Sequence, residues 1–348
     1  ITGVLTHLVD TTQNDSFQDK YFSGIPLDLS NVLFIFSYND PSLVDRILLD
    51  RIHRVKFDPL TIYEKITISK KFIIPELTKE INLFDKIMFE DDVILFIIEN
   101  YTFESGVRKL KELFFEIINE INLICLKTSE VEMPFNVTKN DVEERFFRTR
   151  QKITHIEVPK NDSVGIVNGL WANSYGKGGI IPIESKIYPT KTSFELKLTG
   201  QQGDVMKESM IVARTLAWNY LKNNDIDVEN VTNGIHVHCP EGAVPKDGPS
   251  AGTAITLSLL SLLLNKKVRR DVGITGEINL QGNITAIGGL ELKVIGGIKG
   301  GIKTFVFPEE NKNDLIKIRE RYDDSILGGI TFKTVKHLDE AMEIVFVS

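Results

Sequence analysis

Cysteine is scarce in this chain of 348 residues: Cys125 and Cys239 are the only two. That is too few for a disulfide framework and fits a reducing compartment, cytoplasmic or an organelle matrix. Long apolar runs are also missing. The most hydrophobic stretch, 251–264, falls short of the roughly eighteen residues a membrane span needs and is interrupted by Thr253, Thr256, Ser258 and Ser261. No membrane partner is therefore expected, and the given residues show no secretory signal pattern. Cationic excess is absent: Lys and Arg number 41 against 48 Asp and Glu, a net charge of −7. This argues against nucleic acid as the main partner, and the cluster Lys266-Lys-Val-Arg-Arg270 reads as cations at a helix C-terminus. Metal-ligand spacings such as Cys-x-x-Cys or His-Glu-x-x-His do not occur. His236 and His238 alternate onto one strand face beside Cys239, yet without such spacing no metal is predicted. A phosphate-cradling Gly-x-x-x-x-Gly-Lys-Ser/Thr is missing too; Gly200 to Lys207 is the nearest stretch and lacks the Gly-Lys pair.

Present instead is enough apolar material, 42% of residues, for two or three packed domains of mixed α and β structure. Val4 to Val9 reads as an amphipathic helix, and Asn31 to Asn39 as a buried parallel-type strand with a polar tip. Arg54 to Phe57 suggests a second short strand after the segment carrying Arg51. From 59 the pattern turns helical, with Val107, Leu110, Phe114, Ile117, Ile121 and Ile124 forming one apolar stripe. Residues 131–152 are rich in charge and read as a linker. Strands dominate from 153: Val164 to Trp171 and Ile180 to Glu184 suggest a hairpin, and Phe194 to Leu198 alternates. Asp204 is a candidate cap for a helix running to about Leu221. Thr304 to Pro308, a helix from about Asn311, Thr331 to Val335 and a helix from Leu338 close the domain.

The chemistry concentrates in Pro245-Lys-Asp-Gly-Pro-Ser250-Ala-Gly252, which runs directly into an apolar segment of helical length. A serine at a helix start is most often a cap. It can also be a nucleophile whose neighbouring N–H groups hold an oxyanion. A serine hydroxyl needs a base, and Lys293 lies forty-three residues on among apolar side chains and glycines. Burial there disfavours the ammonium and leaves a neutral amine able to take the proton. The apolar flank of Leu290, Val294 and Ile295, and a close backbone approach at Gly288 and Gly289, both favour that state. His236 and His238 are rival bases, and a Ser-His-Asp arrangement using Asp247 is chemically sensible.

These two motifs, PKDGPSAG and TGEINLQGNITAIGGLELK, resemble the proteolytic core of the Lon-family ATP-dependent serine proteases, and the likeness continues on both sides of them. The resemblance implies an α/β multidomain chain. Residues 1–58 correspond to the C-terminal part of an AAA+ large α/β subdomain, without P-loop or Walker B. Residues 59–130 correspond to an all-α helical lid, 131–152 to a linker and 153–348 to an α+β Lon-type protease domain. It implies a Ser–Lys dyad of Ser250 and Lys293, since the family has the same His-x-His strand and still uses lysine. Thr275 supports the amine. Independently of the resemblance, Asp247, three residues before Ser250, is expected to pair with Lys293 in a resting form, and Glu241 and the backbone N–H groups at Ser250 and Ala251 are candidates for shaping the oxyanion hole and groove. Asn39, Arg51 and Arg108 match nucleotide-sensing positions of the AAA+ module. The phosphate loop and Walker-B acid lie upstream in the family, so the chain reads as a truncated member that does not hydrolyse ATP alone. The full-length protein is expected to need ATP and Mg, to form a homohexamer and to degrade unfolded or damaged proteins; the peptidase chemistry itself needs no cofactor. The alternative is a non-proteolytic AAA+ unfoldase that keeps the shape, against which the intact Ser250, Lys293 and Thr275 count.

Overall fold

The chain divides into two units, Ile1–Asp58 and Pro59–Ser348. A computed structural model describes residues 2–347 apart from 20, 22, 23, 56, 58, 128–132, 155, 174, 175, 225, 227–232 and 241–246, with the backbone alone at 42 and 325. In the first unit, helix α1 (Thr2–Val9) precedes a short ladder of β1 (Phe17–Gln18) with β2 (Pro26–Leu27) and then helix α2 (Arg46–Arg51). Asp45 starts α2 by accepting from the N–H groups of Ile47 and Leu48. The strand expected over Asn31 to Asn39 does not form, and Leu33 and Ile35 are 84% and 85% exposed. An apolar run becomes a strand only where its N–H and C=O groups find a ladder, and none of the described residues supplies one. Residues 54, 55 and 57 likewise form no strand, and Lys56 lies outside the described residues.

The second unit begins with helices. Thr61 and Glu64 form a reciprocal capping box at the start of α3 (Ile62–Ile68). The rod continues through a five-residue π-helical segment, Ser69–Ile73, into α4 (Ile74–Glu80). Helices α5 (Asp91–Tyr101) and α6 (Arg108–Lys127) pack beside it. The three- and four-residue spacing of Leu110, Leu113, Phe114, Ile117, Ile118 and Ile121 turns one face of α6 into the shared core. Of the linker expected over 131–152, residues 131 and 132 lie outside the described residues, and the described part packs into this core. Strand β4 (Phe135–Val137) runs parallel to β3 (Ile87–Phe89), and Val137, Val142 and Phe147 are buried against the helices. The charges that suggested solvent lie outward in ion pairs such as Arg150 with Glu116, leaving the interspersed apolar side chains to face in.

Beyond this lies a mixed seven-stranded sheet. Its strands are β6 (Ile166–Ala172), β7 (Gly178–Pro189), β8 (Leu196–Thr199), β9 (Asn233–His238), β11 (Val272–Ile274), β14 (Thr304–Pro308) and β15 (Thr331–Val335), in the order β15-β14-β11-β6-β7-β9-β8. Strands β6 and β7 are a hairpin in which Ile166 faces Glu184 and Ala172 faces Gly178. Two minor ladders flank the sheet, β5 (Ser163–Val164) with β10 (Lys267–Val268) and β12 (Glu277–Ile278) with β13 (Ile284–Thr285).

Alternation along the strands feeds two cores. Val167, Ile183 and Val306 face helices α7 (Asp204–Asn223), α8 (Gly252–Leu264) and α12 (Leu338–Val345). Leu170, Ile180, Phe305 and Phe307 face α9 (Leu290–Lys299) and α10 (Lys312–Arg321) on the other side. Short α11 (Asp324–Leu327) follows α10. Helix α8 is buried from Gly252 to Ser261, so its hydroxyls must find partners inside the protein. Ser258 donates to the Gly165 carbonyl at 2.9 Å, and Ser261 accepts from the Gly165 N–H at 2.8 Å, pinning the turn ahead of β6.

Helix α9 meets β7 backbone to backbone. A Cβ on Gly178 would lie 2.1 Å from the Leu292 carbonyl oxygen, and one on Gly296 would lie 2.1 Å from the Gly178 carbonyl. Inside a helix alanine is ordinarily better than glycine by roughly 1 kcal/mol. Here the sign reverses: Gly296→Ala should destabilise the second unit by about 1–3 kcal/mol through overpacking, read as a lower urea midpoint with an unchanged m-value.

Candidate active site

Ser250 lies in the 3-10 turn Pro249–Ala251 that leads straight into α8, and is half-buried. Gly248 ahead of it has φ +130, a conformation reserved for glycine, which turns the chain into the helix. The Ser250 carbonyl accepts from the Gly276 N–H at 2.9 Å and from the Thr275 hydroxyl at 3.2 Å. Thr253 returns the contact, donating its N–H and hydroxyl to the Gly276 carbonyl at 3.1 and 2.9 Å. The serine turn and the segment after β11 are thereby laced together.

Lys293 reaches the same place from α9, on the other face of the sheet. Its Nζ is 2.9 Å from Ser250 Oγ and 3.0 Å from Thr275 Oγ1. The residue is 3% exposed, Thr275 is fully buried, and Leu290 and Val294 beside the lysine are buried with it. Burial alone pushes the amine from its ordinary value down to about 8. Thr275 fixes the lone pair. With its proton given to the Ser250 carbonyl, its oxygen can only accept from the amine. The lone pair of neutral Lys293 is then left for the serine hydroxyl.

Three devices hold α9 in register. One is the Gly178–Gly296 approach. The second is Asn311, 4% exposed, which accepts from the Ile287 N–H at 3.0 Å and donates to its carbonyl at 2.9 Å, acting as a strand partner just ahead of the helix. The third is the left-handed φ of +69 at Gly289, which lets the chain enter α9. Of the close approach expected at Gly288 and Gly289, Gly289 shows one, since a Cβ there would lie 3.1 Å from the Ala172 Cβ, whereas a Cβ on Gly288 would meet open space.

Asp247 does not pair with Lys293. Its carboxylate accepts from the N–H of Met206 at 2.9 Å and of Gly248 at 2.9 Å. It therefore caps α7, a role the sequence suggested for Asp204, which instead pairs with Lys207. A bare helix start is a ready carboxylate site, and Gly203 leaves room for it, since a Cβ there would lie 2.4 Å from the Asp247 carboxyl carbon. His236 and His238 both turn to the Thr199 hydroxyl, at 2.8 and 2.7 Å, on the sheet face away from the core that takes Ile235 and Val237. Among the described residues no three His, Cys, Asp or Glu side chains cluster as metal ligands, and no helix is long and apolar enough to cross a membrane. Glu241 lies outside the described residues. Ala251 sits beside Ser250 at the foot of α8. Asn39 and Arg51 belong to the first unit, where Arg51 is ion-paired with Asp10 at 3.1 Å. Arg108 is exposed at the first turn of α6.

A serine, a buried amine and an orienting threonine define a Ser–Lys type of site on an α/β/α scaffold. The family model described as the Lon protease (S16) C-terminal proteolytic domain matches residues 136–348, and that of the Lon protease AAA+ ATPase lid domain matches 79–129. A Lon protease homolog of Acanthamoeba polyphaga mimivirus is 36% identical across 98% of this chain and 39% of its own length. The Lon protease of Clostridium acetobutylicum is 36% identical across 97% of this chain and 42% of its own length. That of Methanosphaera stadtmanae is 37% identical across 98% and 40%. The chain belongs to the Lon protease family, and spans about two-fifths of the length of these relatives.

Two outcomes follow for stability. The unfolded chain holds a proton on Lys293 up to about 10.5 and the folded one only to about 8. Between those values the unfolded state binds more protons, so stability should rise with pH across that window. Lys293→Met should remove its own share of that rise and so make it smaller, as read by denaturation midpoints at pH 7 and pH 10. Asp247→Ala should cost about 1 kcal/mol as a lost helix cap, visible as a lower midpoint at pH 7, and should leave the Lys293 window in place.

Proposed function

We propose that this chain is the proteolytic end of an ATP-dependent serine endopeptidase that cuts unfolded or damaged proteins with Ser250 and Lys293. The observation that carries the reading is the buried amine, held 2.9 Å from the serine oxygen and lowered to about 8. Ser250 Oγ attacks the scissile carbonyl carbon while its proton passes to neutral Lys293 Nζ. The oxyanion accepts from N–H groups where the 3-10 turn enters α8, that of Ala251 among them. Collapse expels the amine of the departing peptide, which takes the proton from Lys293. Water then attacks the acyl-serine, giving a proton to Lys293 Nζ; the second tetrahedral intermediate collapses, Ser250 Oγ takes that proton back from Lys293, and the carboxylic acid leaves. Thr275 keeps the lone pair aimed through both halves.

In the whole protein, ATP with Mg would drive unfolded chains to this site in a homohexamer, in the cytoplasm or an organelle matrix. Asn39, Arg51 and Arg108 would answer to nucleotide there. The residues present do not include a phosphate loop, so no step of the peptide chemistry is routed through nucleotide, and the purified chain should show no ATP turnover.

Ser250→Ala should abolish cleavage of a fluorogenic peptide while leaving the melting temperature nearly unchanged. The parent's rate should rise with pH through an ionisation near 8, because only the neutral amine acts and its fraction grows as the pH passes its pKa. Lys293→Arg should be inactive, since a guanidinium stays charged over this range. A limb that survives Lys293→Arg and vanishes in the His236→Gln, His238→Gln pair would assign the base to histidine instead.

A further inference from the structure

The β6–β7 hairpin tip carries a lysine that the chemistry above does not use. Lys177 immediately precedes Gly178, the residue whose backbone lies against Leu292 and Lys293. A Cβ on Gly178 would be 2.9 Å from the backbone nitrogen of Lys293. The ammonium of Lys177 reaches away from the sheet to the helical part of the unit, where it donates to the Thr102 carbonyl. It also stands over the Phe103 ring, 4.6 Å from the centroid. Thr102 is the residue just past the last turn of α5, the negative end of that helix, which suits a cation. Beside it Gly176 packs on Pro59, with no room for a Cβ, and has φ +77.

Lys65 and Lys299 share this seam. Lys65 donates to the Glu104 carbonyl at 2.6 Å, and Lys299 pairs with Glu99 at 2.7 Å. Lys299 closes α9, the helix of Lys293. At the other end of α9, Glu291 pairs at 2.9 Å with Arg321, which also reaches Glu64 of α3 at 3.3 Å. Burial, then the neighbouring Lys299 and Lys65, hold the Lys177 amine down at about 8 against the pull of Glu99 and Glu104. Lys65 is buried, Lys177 half-buried and Lys299 exposed, and gathering three cations in a partly desolvated seam is unfavourable unless each is held by an acceptor. The carbonyls and carboxylate at the C-terminal end of α5 and the segment just beyond it supply those acceptors.

We propose that Lys177 is a positioning residue for Lys293: seated on the Thr102 carbonyl, it fixes the hairpin tip, and through Gly178 it sets where the backbone of α9 lies. The inference rests on the Ser–Lys reading above. The segment it grips, 102–107, leads directly into Arg108 and α6. A shift of that segment therefore reaches the base through one side chain and one backbone contact.

The test uses the whole chain. Lys177→Met keeps the length and apolar stem but removes the donor, whereas Lys177→Arg keeps a cationic donor. The Met variant should lose about tenfold or more in kcat for a fluorogenic peptide, the scale expected when a catalytic group is displaced by a fraction of an ångström. KM should change by less than about twofold, since substrate contacts are untouched. Its pH limb should move upward, because a displaced amine is better solvated. Amide exchange followed by mass spectrometry should rise over 290–299 and not over 252–264. The Arg variant should restore all of these. Unchanged kcat and limb in the Met variant, or equal loss in both variants, would overturn the proposal. If the parent itself shows no Ser250-dependent cleavage, the enzymatic reading fails, while exchange over 290–299 still judges the link alone, and no rise there sinks it. Should Lys177→Met fail to fold, Glu99→Gln releases the Lys299 tether of the same helix and is read in the same way.

Discussion

An ammonium ion taken out of water without a counter-charge is among the least favourable things a fold can contain. Lys293 is placed so, 3% exposed and, among the described residues, with no acid beside it. The protein answers the conflict by loosening its hold on the proton rather than by pairing the charge. The surrounding architecture serves that outcome: an apolar helix face around the stem, two hydroxyls around the nitrogen, and a helix pressed so tightly on β7 that only glycines fit between them. An acid in contact with the amine would have raised its pKa and kept the proton. The employment of Asp247 at the start of α7 is therefore as much a part of the arrangement as the burial.

Local signals carried much of this. The β6–β7 hairpin, the alternating β9, the α6 stripe and the close of the domain through β14, β15 and α12 were all legible, because each satisfies its period within a few residues. Ser250 and Lys293 were legible for a different reason: each sits in a motif whose glycines and proline impose a particular turn. Asn31 to Asn39 misled because an apolar run states what the chain could bury, while strand formation depends on neighbours elsewhere. The charged span 131–152 misled in the opposite sense. Counting its charges hid Phe135, Val137, Val142 and Phe147, which point inward at irregular intervals that match neither period.

Contacts between distant backbones left the weakest trace in the sequence. Gly178 and Gly296 are far apart in the chain, and nothing in either neighbourhood says that they touch. The same holds for Asn311, whose pairing with Ile287 mimics a ladder that no strand pattern announces. Hydroxyls buried along α8 looked like interruptions of an apolar helix. In the fold they are the groups that bind it to the turn ahead of β6, and their polarity is used up internally.

The serine arrives on α8 from one side of the sheet and the lysine on α9 from the other, with Thr275 at the tip of β11 between them, separations of 25 and 18 residues from the threonine. No local segment contains a working pair. With either layer undocked, the amine is solvated, its ordinary pKa returns and the hydroxyl is remote from it. Meeting of the hydroxyl and the amine is thus a property of the closed topology: neither layer holds both groups alone.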